Sequence, residues 1–469
     1  MIGPAARKGI LFGKRQFVTV NHRNYSPPFC FENVPIVTKR CCHKQCSSQV
    51  LTDCDMKKII SRSGDHLLHP TLTERQTEVV VVAAACKRAA TDSLDCRPRK
   101  IIRREIRNCD FILKPDTKNI SKGMYRAKRK LLPALPKTGA EVMEQFANEM
   151  AIKTSRGELF SFPMMDSGIL IFTCDTNLRL LAECETIIAD GTFDYAPDKF
   201  VQMYTMHGNT MGHNVPLAYC CLPNKKGPTY AAMLAALKNL ANDRLGVELK
   251  PSNIHVDFED APLAAFRNSF PSAEIRACKF HFAQNLIKRI RANKTLLSSY
   301  RKRESETGQW LRAFIALPNL PPHVVPDAFV ELYSCVPSGS LHSFSDYVLN
   351  TYIESTRYPP SLWARAPTLD DITTTNTAES FHSRYNDDHS SSHPNIHVTL
   401  QSLLDLQEET YLTDRTIRAG IWGKARRETV QIREKIVALY DKFDKETISV
   451  SEYLFAVGDA IAESKVRTN

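Results

Sequence analysis

Three carboxylates in the C-terminal two thirds of the sequence lie where strands are predicted to end or a helix to begin. Asp190 follows the apolar run Thr186–Ala189, Asp257 follows Ile254–Val256, and Glu379 comes early in a predicted helix. Carboxylate oxygens are ligands that Mg²⁺ prefers, and two such ions can hold the attacking and leaving oxygens of a phosphodiester in line. The residue types therefore suit metal-dependent phosphodiester chemistry.

Each carboxylate also has a purely structural interpretation. Asp190 precedes Gly191, and Asp-Gly is a strong signal for a hairpin turn. Asp257 opens an acidic cluster that suits the start of the following helix, and Glu379 suits a solvated position in a first helical turn. The residues alone leave both interpretations open.

Cysteine and histidine form a second set of candidates near the N-terminus. Two thiolates and two imidazoles complete a closed tetrahedral zinc site. The candidate ligands are Cys42, Cys46, His66 and His69, with Cys41 as the alternative first ligand. Chance clustering is the competing explanation. A module of about sixty residues with few large apolar side chains needs such a metal to fold, which favours zinc.

Cys278 and His281 form a further pair, three residues apart. They suit half of a zinc site, yet no second half is visible nearby, so packing or local hydrogen bonding is an equal alternative. We assign them no metal.

Positive charge is concentrated in the N-terminal third. Residues 1–140 carry 28 Lys and Arg against 11 Asp and Glu, whereas residues 141–469 carry 34 against 40. This balance of +17 is typical of a protein that neutralises phosphates, although a solvated surface and a membrane surface are alternatives. The predicted DNA-binding residues are Arg97, Arg99, Lys100, Arg103, Arg104, Arg126, Lys128, Arg129 and Lys130. The run 126–130 also suits a nuclear-localisation signal.

The composition indicates a folded protein with no membrane span. Hydrophobic residues make up 43% and charged residues 24% of the chain, and the longest apolar run, Val79–Cys86, is too short to cross a bilayer. The N-terminus has no apolar signal segment, so we expect an intracellular protein whose cysteines are reduced thiols or metal ligands.

Short apolar strands alternate with helices after residue 140, which predicts an α/β fold with a mixed sheet and flanking helices. The predicted strands are Ile169–Cys174, Thr186–Ala189, Phe200–His207, Val215–Cys221, Ile254–Val256 and Ile275–Cys278, and the predicted helices between them include Thr229–Leu240, Ala261–Ser269 and Phe282–Ala292. Residues 7–70 read as a small β-rich module with strands at 10–12, 17–20 and 34–37. Residues 415–440 read as one long charged helix, weakest at Gly420 and Gly423.

Many small motifs occur in one order between residues 169 and 290 and again at 376–386. They include Asp190-Gly191-Thr192-Phe193, Val215-Pro216-Leu217, Asp257-Phe258-Glu259 and Cys278-Lys279-Phe280-His281-Phe282. In these motifs the chain resembles the transposase domain of Mutator-like elements. The resemblance implies an RNase H-like fold with a helical insertion, in which Asp190, Asp257 and Glu379 hold two Mg²⁺ or Mn²⁺ ions. It places Glu259, Asn376, Cys278 and His281 beside that site.

Residues 8–70 resemble a FLYWCH-type zinc finger, which often precedes such transposase domains. The resemblance rests on the cysteines and on the ending Gly64-Asp65-His66-Leu67-Leu68-His69-Pro70. One extra residue separates the two histidines, and the expected Trp before the first Cys is missing. The first ligand and zinc occupancy therefore stay open.

Together these patterns predict a DNA transposase, or a host protein derived from one, in the nucleus. The predicted domains are a zinc finger at 1–70, a basic helical region at 71–140, an RNase H-like core at 141–300, a helical insertion at 301–372 and a region carrying the catalytic Glu at 373–469. Double-stranded DNA is the predicted partner, with a homo-oligomer on DNA ends. A catalytically silent DNA-binding regulator and a metal-dependent RNA nuclease are the alternatives. We expect the three carboxylates to cluster and, without metal, at least one to show a raised pKa.

Overall fold

A computed structural model describes most of the chain. The described residues are 36–41, 46–53, 59–64, 73–92, 98–107, 109–148, 152–337, 342–369, 381–386, 389, 392–423 and 427–466. The chain divides into two compact units, Met1–Ala134 and Leu135–Asn469. Each unit has its own packed elements.

The first unit contains a small antiparallel sheet. Its strands are β1 (Ile36–Arg40), β2 (Gln49–Asp53) and β3 (Ile59–Ser63), in the order β1-β2-β3. The amide of Cys41 donates to the carbonyl of Ser48 at 2.8 Å, which closes the connection between β1 and β2. Residues 36 and 37 of the strand predicted at 34–37 belong to β1. Residues 34–35 and the strands predicted at 10–12 and 17–20 lie outside the described residues.

Three helices follow in the same unit: α1 (Glu74–Asp92), α2 (Pro98–Glu105) and α3 (Lys114–Leu131). Their shared core is small. It consists of Val82, Cys86, Ala90, Ile101, Ile102, Ile120 and Met124. Helices α1 and α3 also meet through the ion pair between Arg75 and Asp116 at 2.7 Å, and α1 passes close to α3 at Gly123.

A seven-stranded mixed sheet organises the second unit. The strands are β4 (Ser161–Met164), β5 (Ile169–Phe172), β6 (Thr186–Thr192), β7 (Gln202–Thr210), β8 (His213–Leu222), β9 (Asn253–Val256) and β10 (Glu274–Ala277). Their order is β10-β9-β6-β7-β8-β5-β4. Strand β6 pairs antiparallel with β7 and parallel with β9, and β9 pairs parallel with β10. The predicted mixed α/β architecture is therefore confirmed.

The central strands are buried on both faces because apolar residues occupy successive positions along them. In β6, the side chains of Ile187 and Ala189 join one apolar cluster with Met206. On β7 the neighbouring Met203 joins a second cluster on the opposite face, together with Phe381. Successive side chains of a strand point to opposite faces, so the sheet separates two cores.

Helices cover both faces of this sheet. Their bounds are α4 (Gly139–Asn148), α5 (Asp175–Glu183), α6 (Gly227–Leu245), α7 (Asp260–Ser269), α8 (Lys279–Arg291), α9 (Lys294–Arg301), α10 (Glu306–Ala316), α11 (Val325–Ser334), α12 (His342–Val348), α13 (Pro360–Trp363), α14 (Ile396–Arg418), α15 (Arg427–Asp444) and α16 (Val450–Val466). Residues 381–386 are also helical. Among the described residues, no helix is long and apolar enough to cross a membrane.

The single long helix predicted at 415–440 is wrong. Helix α14 ends at Arg418, and α15 begins at Arg427. Gly420 adopts a φ of +72°, a left-handed conformation that commonly ends helices. Gly423 then lies so close to the β7–β8 turn that an added Cβ would be 2.6 Å from the carbonyl oxygen of Gly212. The two glycines therefore mark a break between two helices.

Candidate active site

Asp190 and Asp257 lie side by side at the ends of neighbouring parallel strands. The register pairs Ile188 of β6 with His255 of β9, and each Asp comes two residues later. Adjacent strands are about 4.8 Å apart, so the two carboxylates emerge at the same edge of the sheet. This is the clustering expected for the two aspartates.

Neither aspartate has the purely structural role that the sequence left open. Asp190 lies within β6 and pairs with Thr205 of β7, so the hairpin-turn interpretation is wrong. Helix α7 has Glu259 as its N-cap residue, and the carboxylate of Asp257 instead accepts a hydrogen bond from the amide of Phe258 at 2.5 Å. Asp257 therefore does not cap α7.

The Asp190 carboxylate is buried, with 6% of the residue exposed. It accepts a hydrogen bond from the amide of Gly191 at 2.8 Å and lies 3.3 Å from Nδ1 of His382. Burial by itself would raise the pKa of this carboxyl, but the hydrogen bond and charge of His382, with help from His281, outweigh it and lower the pKa below its ordinary value. Asp190 is thus held as a carboxylate.

A chain of polar side chains continues behind His382. Its Nε2 lies 3.0 Å from the hydroxyl of Thr205, which lies 3.0 Å from Nε2 of His207. The same hydroxyl can donate to the main-chain carbonyl of Asp190 at 3.2 Å. Burial lowers the pKa of His207 to about 3, so this ring is neutral and anchors the chain without adding charge. The chain fixes the orientation of the His382 ring against Asp190.

Asp257 is more open, with a third of its side chain exposed, and lies 3.3 Å from Nδ1 of His281. Partial burial raises the pKa of this carboxyl, and the nearby Asp190 and Glu259 raise it further. His281 and the Phe258 amide act in the opposite direction but do not cancel the rise. The raised pKa expected at one carboxyl therefore belongs to Asp257.

The Cys-x-x-His element positions His281. The amide of Cys278 donates to the carbonyl of Val256 at 3.0 Å, which ties the start of α8 to the end of β9. Cys278 is buried, with 1% exposed, while His281 in the first turn of α8 faces Asp257. The pair is therefore adjacent to the acidic residues, with the thiol pointing into the protein and the imidazole towards the site.

Gly191 is required by the packing next to Asp190. A Cβ at this position would lie 1.8 Å from Nε2 of Gln202, a distance that no real side chain could tolerate. Gln202 is itself held by the hydroxyl of Tyr230, which donates to its Oε1 at 2.7 Å. The glycine thus allows β6 and β7 to stay paired past the carboxylate.

The two aspartates open into a broad cleft of about 1800 Å³. Small-molecule sites usually occupy about 300–1,000 Å³, so this cleft suits a larger ligand. One wall carries basic residues of α8 and α9, namely Lys288, Arg291 and Arg301. Phe193, Tyr195 and Phe280 add aromatic rings to the lining. The cleft therefore combines acidic residues at its floor with positive charge on one wall.

The model of the MULE transposase domain family matches residues 186–285. The matched segment begins with β6 and ends within α8, so it contains Asp190, Asp257, Cys278 and His281. The MULE transposase domain indicates a transposase-type function, or one derived from it, and interaction with DNA. A search of curated proteins gave no match to the chain.

Three further residues were predicted at or beside this site, and the structure describes only one of them, Glu259. Glu259 is directed to Lys225, whose Nζ lies 3.0 Å from it. Glu379 and Asn376 lie outside the described residues. Within the described part of the chain, no group of three or more His, Cys, Asp or Glu side chains is arranged to hold a metal ion.

Two carboxylates nevertheless offer a donor set that fits a hard divalent cation. Their oxygens are the preferred ligands of Mg²⁺, which keeps several waters and needs few protein ligands. Burial raises the pKa of Asp257, and the neighbouring carboxylates of Asp190 and Glu259 add to the rise, so a bound cation would stabilise its ionised form.

The structure describes only part of the predicted zinc site. Cys41 and Cys46 are both half-buried and lie in the connection between β1 and β2. Cys42, His66 and His69 lie outside the described residues.

The predicted DNA-binding residues differ in their exposure. The exposed ones are Arg99, Lys100, Arg103 and Arg104 on α2 and Arg126, Arg129 and Lys130 on α3. Lys128 is only 7% exposed and faces the helical core, and Arg97 lies outside the described residues. The periodicity of α3 explains the difference, because residue 128 falls one turn after the buried Met124.

Sequence reasoning missed three residues of the site: His382, Thr205 and His207. His382 lies three residues after Glu379, a spacing of one helical turn, and that spacing was the available signal. Thr205 and His207 alternate with apolar residues on a buried strand and have no local signal.

Proposed function

We propose that this protein is a Mutator-like DNA transposase, or a host protein derived from one, that cleaves DNA and transfers strands with the help of divalent metal ions. One observation carries the proposal. Asp190 and Asp257, both within the MULE match, lie at the same register on adjacent parallel strands and open into a cleft too broad for an ordinary small-molecule ligand.

The strand arrangement supports an RNase H-like core. Strands β6, β7 and β8 form an antiparallel meander, and β9 and β10 continue the sheet in parallel on the other side of β6. Both connections to the parallel strands run through a helix, α6 or α7. This topology brings the first and fourth of these strands together and so unites carboxylates that are far apart in sequence.

The proposed metal ligands are Asp190, Asp257 and Glu379, for two Mg²⁺ or Mn²⁺ ions. When bound, the ions would stabilise the attacking and leaving oxygens of the phosphodiester. Glu379 precedes His382 by three positions in the sequence, and His382 contacts Asp190.

The protein's own residues hold the carboxylates in place. His382, fixed by Thr205, sets the orientation of Asp190, and His281 does the same for the more exposed Asp257. The basic wall of the cleft is suited to the phosphates of a DNA strand. Lys288, Arg291 and Arg301 are all exposed there.

Cleavage of DNA by the full chain tests this proposal. With Mg²⁺ or Mn²⁺, the wild-type protein should nick supercoiled plasmid, and Asp257→Asn should reduce nicking by roughly a thousandfold, since charge stabilisation is commonly the largest catalytic contribution. The matched control is Asp243→Asn, which changes the same group at an exposed position of α6. It should cleave at the wild-type rate.

The assay also separates the alternatives. Duplex binding by the wild-type protein without any cleavage would favour a silent DNA-binding regulator. Metal-dependent cleavage of RNA but not DNA would favour an RNA nuclease. Cleavage that survives in both Asp257→Asn and Glu379→Gln would contradict the two-metal site.

The proposal extends to the N-terminal region. A structural zinc ion held by Cys42, Cys46, His66 and His69 would stabilise the β-rich module, and the basic charge of residues 1–140 suits DNA binding in the nucleus, with oligomers formed on DNA ends. Elemental analysis of the purified full chain should find one zinc per chain, and Cys46→Ser should lose it. A zinc-free protein that binds DNA normally would refute the zinc assignment.

A further inference from the structure

Helix α3 presents one continuous basic face to solvent. It has 18 residues and carries seven Lys and Arg against a single acidic residue, Asp116. The exposed positions recur every three or four residues and therefore share one side of the helix. They are Lys114, Lys118, Asn119, Lys122, Tyr125, Arg126, Arg129 and Lys130.

The opposite face of α3 is buried against α1 and α2. Ile120 and Met124 are 3% and 0% exposed, and Lys128 lies on the same buried side. The single acidic residue is neutralised locally, because Arg75 of α1 contacts Asp116 at 2.7 Å. The exposed face is thus positive along its whole length without a competing carboxylate of its own helix.

Helix α1 adds charge to one edge of this face. The Cε atom of Lys87 lies 2.9 Å from where a Cβ at Gly123 would be, so the lysine passes directly over α3. On α2, Arg99, Lys100, Arg103 and Arg104 are exposed. The three helices therefore share one core, and each of them carries exposed basic residues.

This geometry favours duplex DNA over the other polyanions. A helix that binds a membrane surface inserts its apolar face, but the apolar face of α3 is already buried in the helical core. Double-stranded RNA has a major groove too deep and narrow for side chains to read. The major groove of B-DNA is about 12 Å wide and accepts one α-helix, and the face from Lys118 to Arg129 is about 16 Å long.

We infer that α3 is a recognition helix that enters the major groove of duplex DNA. Lys122 and Arg126 lie along the centre of the exposed face, opposite the buried Met124, and meet the base edges. Lys114 and Lys118 on one side and Lys130 on the other flank this line and contact the phosphates. Arg129 is not assigned a DNA contact, because its guanidinium donates to the carbonyl of Pro133 at 3.0 Å. The inference assigns DNA reading to residues outside the MULE match and so goes beyond the proposed cleavage activity.

Binding measurements on the full chain in EDTA test the inference without any cleavage. The flank variant, Lys114→Gln/Lys118→Gln/Lys130→Gln, should bind a pool of random duplexes roughly tenfold or more weakly at 0.15 M salt. Its plot of log affinity against log salt should be shallower by about two to three, because each lost phosphate contact removes about 0.9 from the slope. The matched control, Arg427→Gln/Lys442→Gln/Lys445→Gln, removes three exposed charges of α15 and its end and should bind within twofold of wild type.

Selection from randomised duplexes tests the base contacts. The wild-type chain should enrich a defined motif, and the centre variant, Lys122→Ala/Arg126→Ala, should lose the preference at one or two positions of it. Thermal unfolding should be unchanged in both variants, since all the altered side chains are exposed.

Three results would overturn the inference: equal losses in the flank and control variants, an unchanged motif in the centre variant, or equal affinity for duplex RNA. A chain that binds the motif but never cleaves DNA would contradict the proposed activity and leave the role of α3 intact.

Discussion

Strands β6 and β9 each place an aspartate at the same level of the sheet, in the floor of the cleft. The pKa values of these two carboxyls are shifted in opposite directions. At the end of β6, Asp190 is buried and fixed through His382, and its pKa is lowered. At the end of β9, Asp257 is a third exposed, and its pKa is raised. Burial raises the pKa at both positions. The contacts of Asp190 with His382 outweigh it, whereas those of Asp257 with His281 and the Phe258 amide do not.

The two carboxylates therefore differ in how firmly they are held and in how favourable their negative charge is. Asp190 is held as an ion in one orientation by a main-chain amide and an imidazole. Asp257 keeps an unfavourable charge near the surface of the cleft, where a cation can compensate it. Under the proposed function, Asp190 would fix the position of a bound cation, and Asp257 would gain its negative charge most readily when that cation is present.

The largest expected effect is a loss of stability when a side chain is added at Gly191, near the end of β6. Gly191→Ala should lower the free energy of unfolding by about 3 kcal/mol, because the new Cβ would overlap the side chain of Gln202. Gly139→Ala is the matched control, since the nearest atom to a Cβ there is 3.6 Å away, an ordinary contact. Urea unfolding measures both variants. If Gly191→Ala is as stable as Gly139→Ala, the packing around Gly191 does not require a glycine.

Removing the charge from each aspartate should affect stability in opposite directions when no metal is present. At neutral pH, Asp190→Asn should cost about 2 kcal/mol, the scale of a buried hydrogen bond to a charged group. Asp257→Asn should leave stability equal or raise it, because a carboxyl with a raised pKa is unfavourable once ionised. Urea unfolding in EDTA at several pH values measures the comparison.

The pH dependence has a defined sign at each position. The contribution of Asp190 is present above its unfolded pKa of about 3.9 and is lost as the pH falls through its lower folded value. The contribution linked to the proton of Asp257 is present below about pH 3.9 and is lost as the pH rises through its higher folded value. If the free energy of unfolding depends on pH in the same way in Asp190→Asn and Asp257→Asn, the two carboxyls do not differ as described.

The smallest of the three effects concerns the polar chain behind Asp190. Thr205→Val keeps the side-chain shape but removes the hydroxyl between His382 and His207, and it should cost about 1 kcal/mol. It should also weaken Mn²⁺ binding, measured by calorimetry, because His382 would no longer hold Asp190 in place. Thr205→Ser keeps the hydroxyl and should bind Mn²⁺ as the wild type does. If Thr205→Val binds Mn²⁺ normally as well, the chain does not position Asp190.

Local patterns predicted much of the fold because the strands of the second unit are short apolar runs and the helices have regular apolar spacing. The ends of β6 and β9 were visible in this way, and the family resemblance identified the aspartates that follow them. The helix break at Gly420 had a local signal too, but a glycine within a charged helical stretch lowers helix stability without showing where the chain turns.

The remaining features depend on contacts between distant residues. Asp-Gly favours a turn, but pairing of Asp190 with Thr205 extends β6 past that dipeptide, so tertiary contacts override the local preference. His382 meets Thr205 across 177 residues of sequence, and no periodicity encodes such a contact. The buried position of Lys128 likewise follows from which face of α3 packs, which the basic run itself does not reveal.

The parallel pairing of β6 with β9 also has a consequence for how the protein is made. The two aspartates are 67 positions apart and come together only after β7, β8 and α6 have been placed between them. Contacts of such long sequence separation form late in folding. A partly synthesised or partly unfolded chain therefore holds isolated carboxylates rather than a paired site, and the proposed cleavage activity would arise only when the domain is complete.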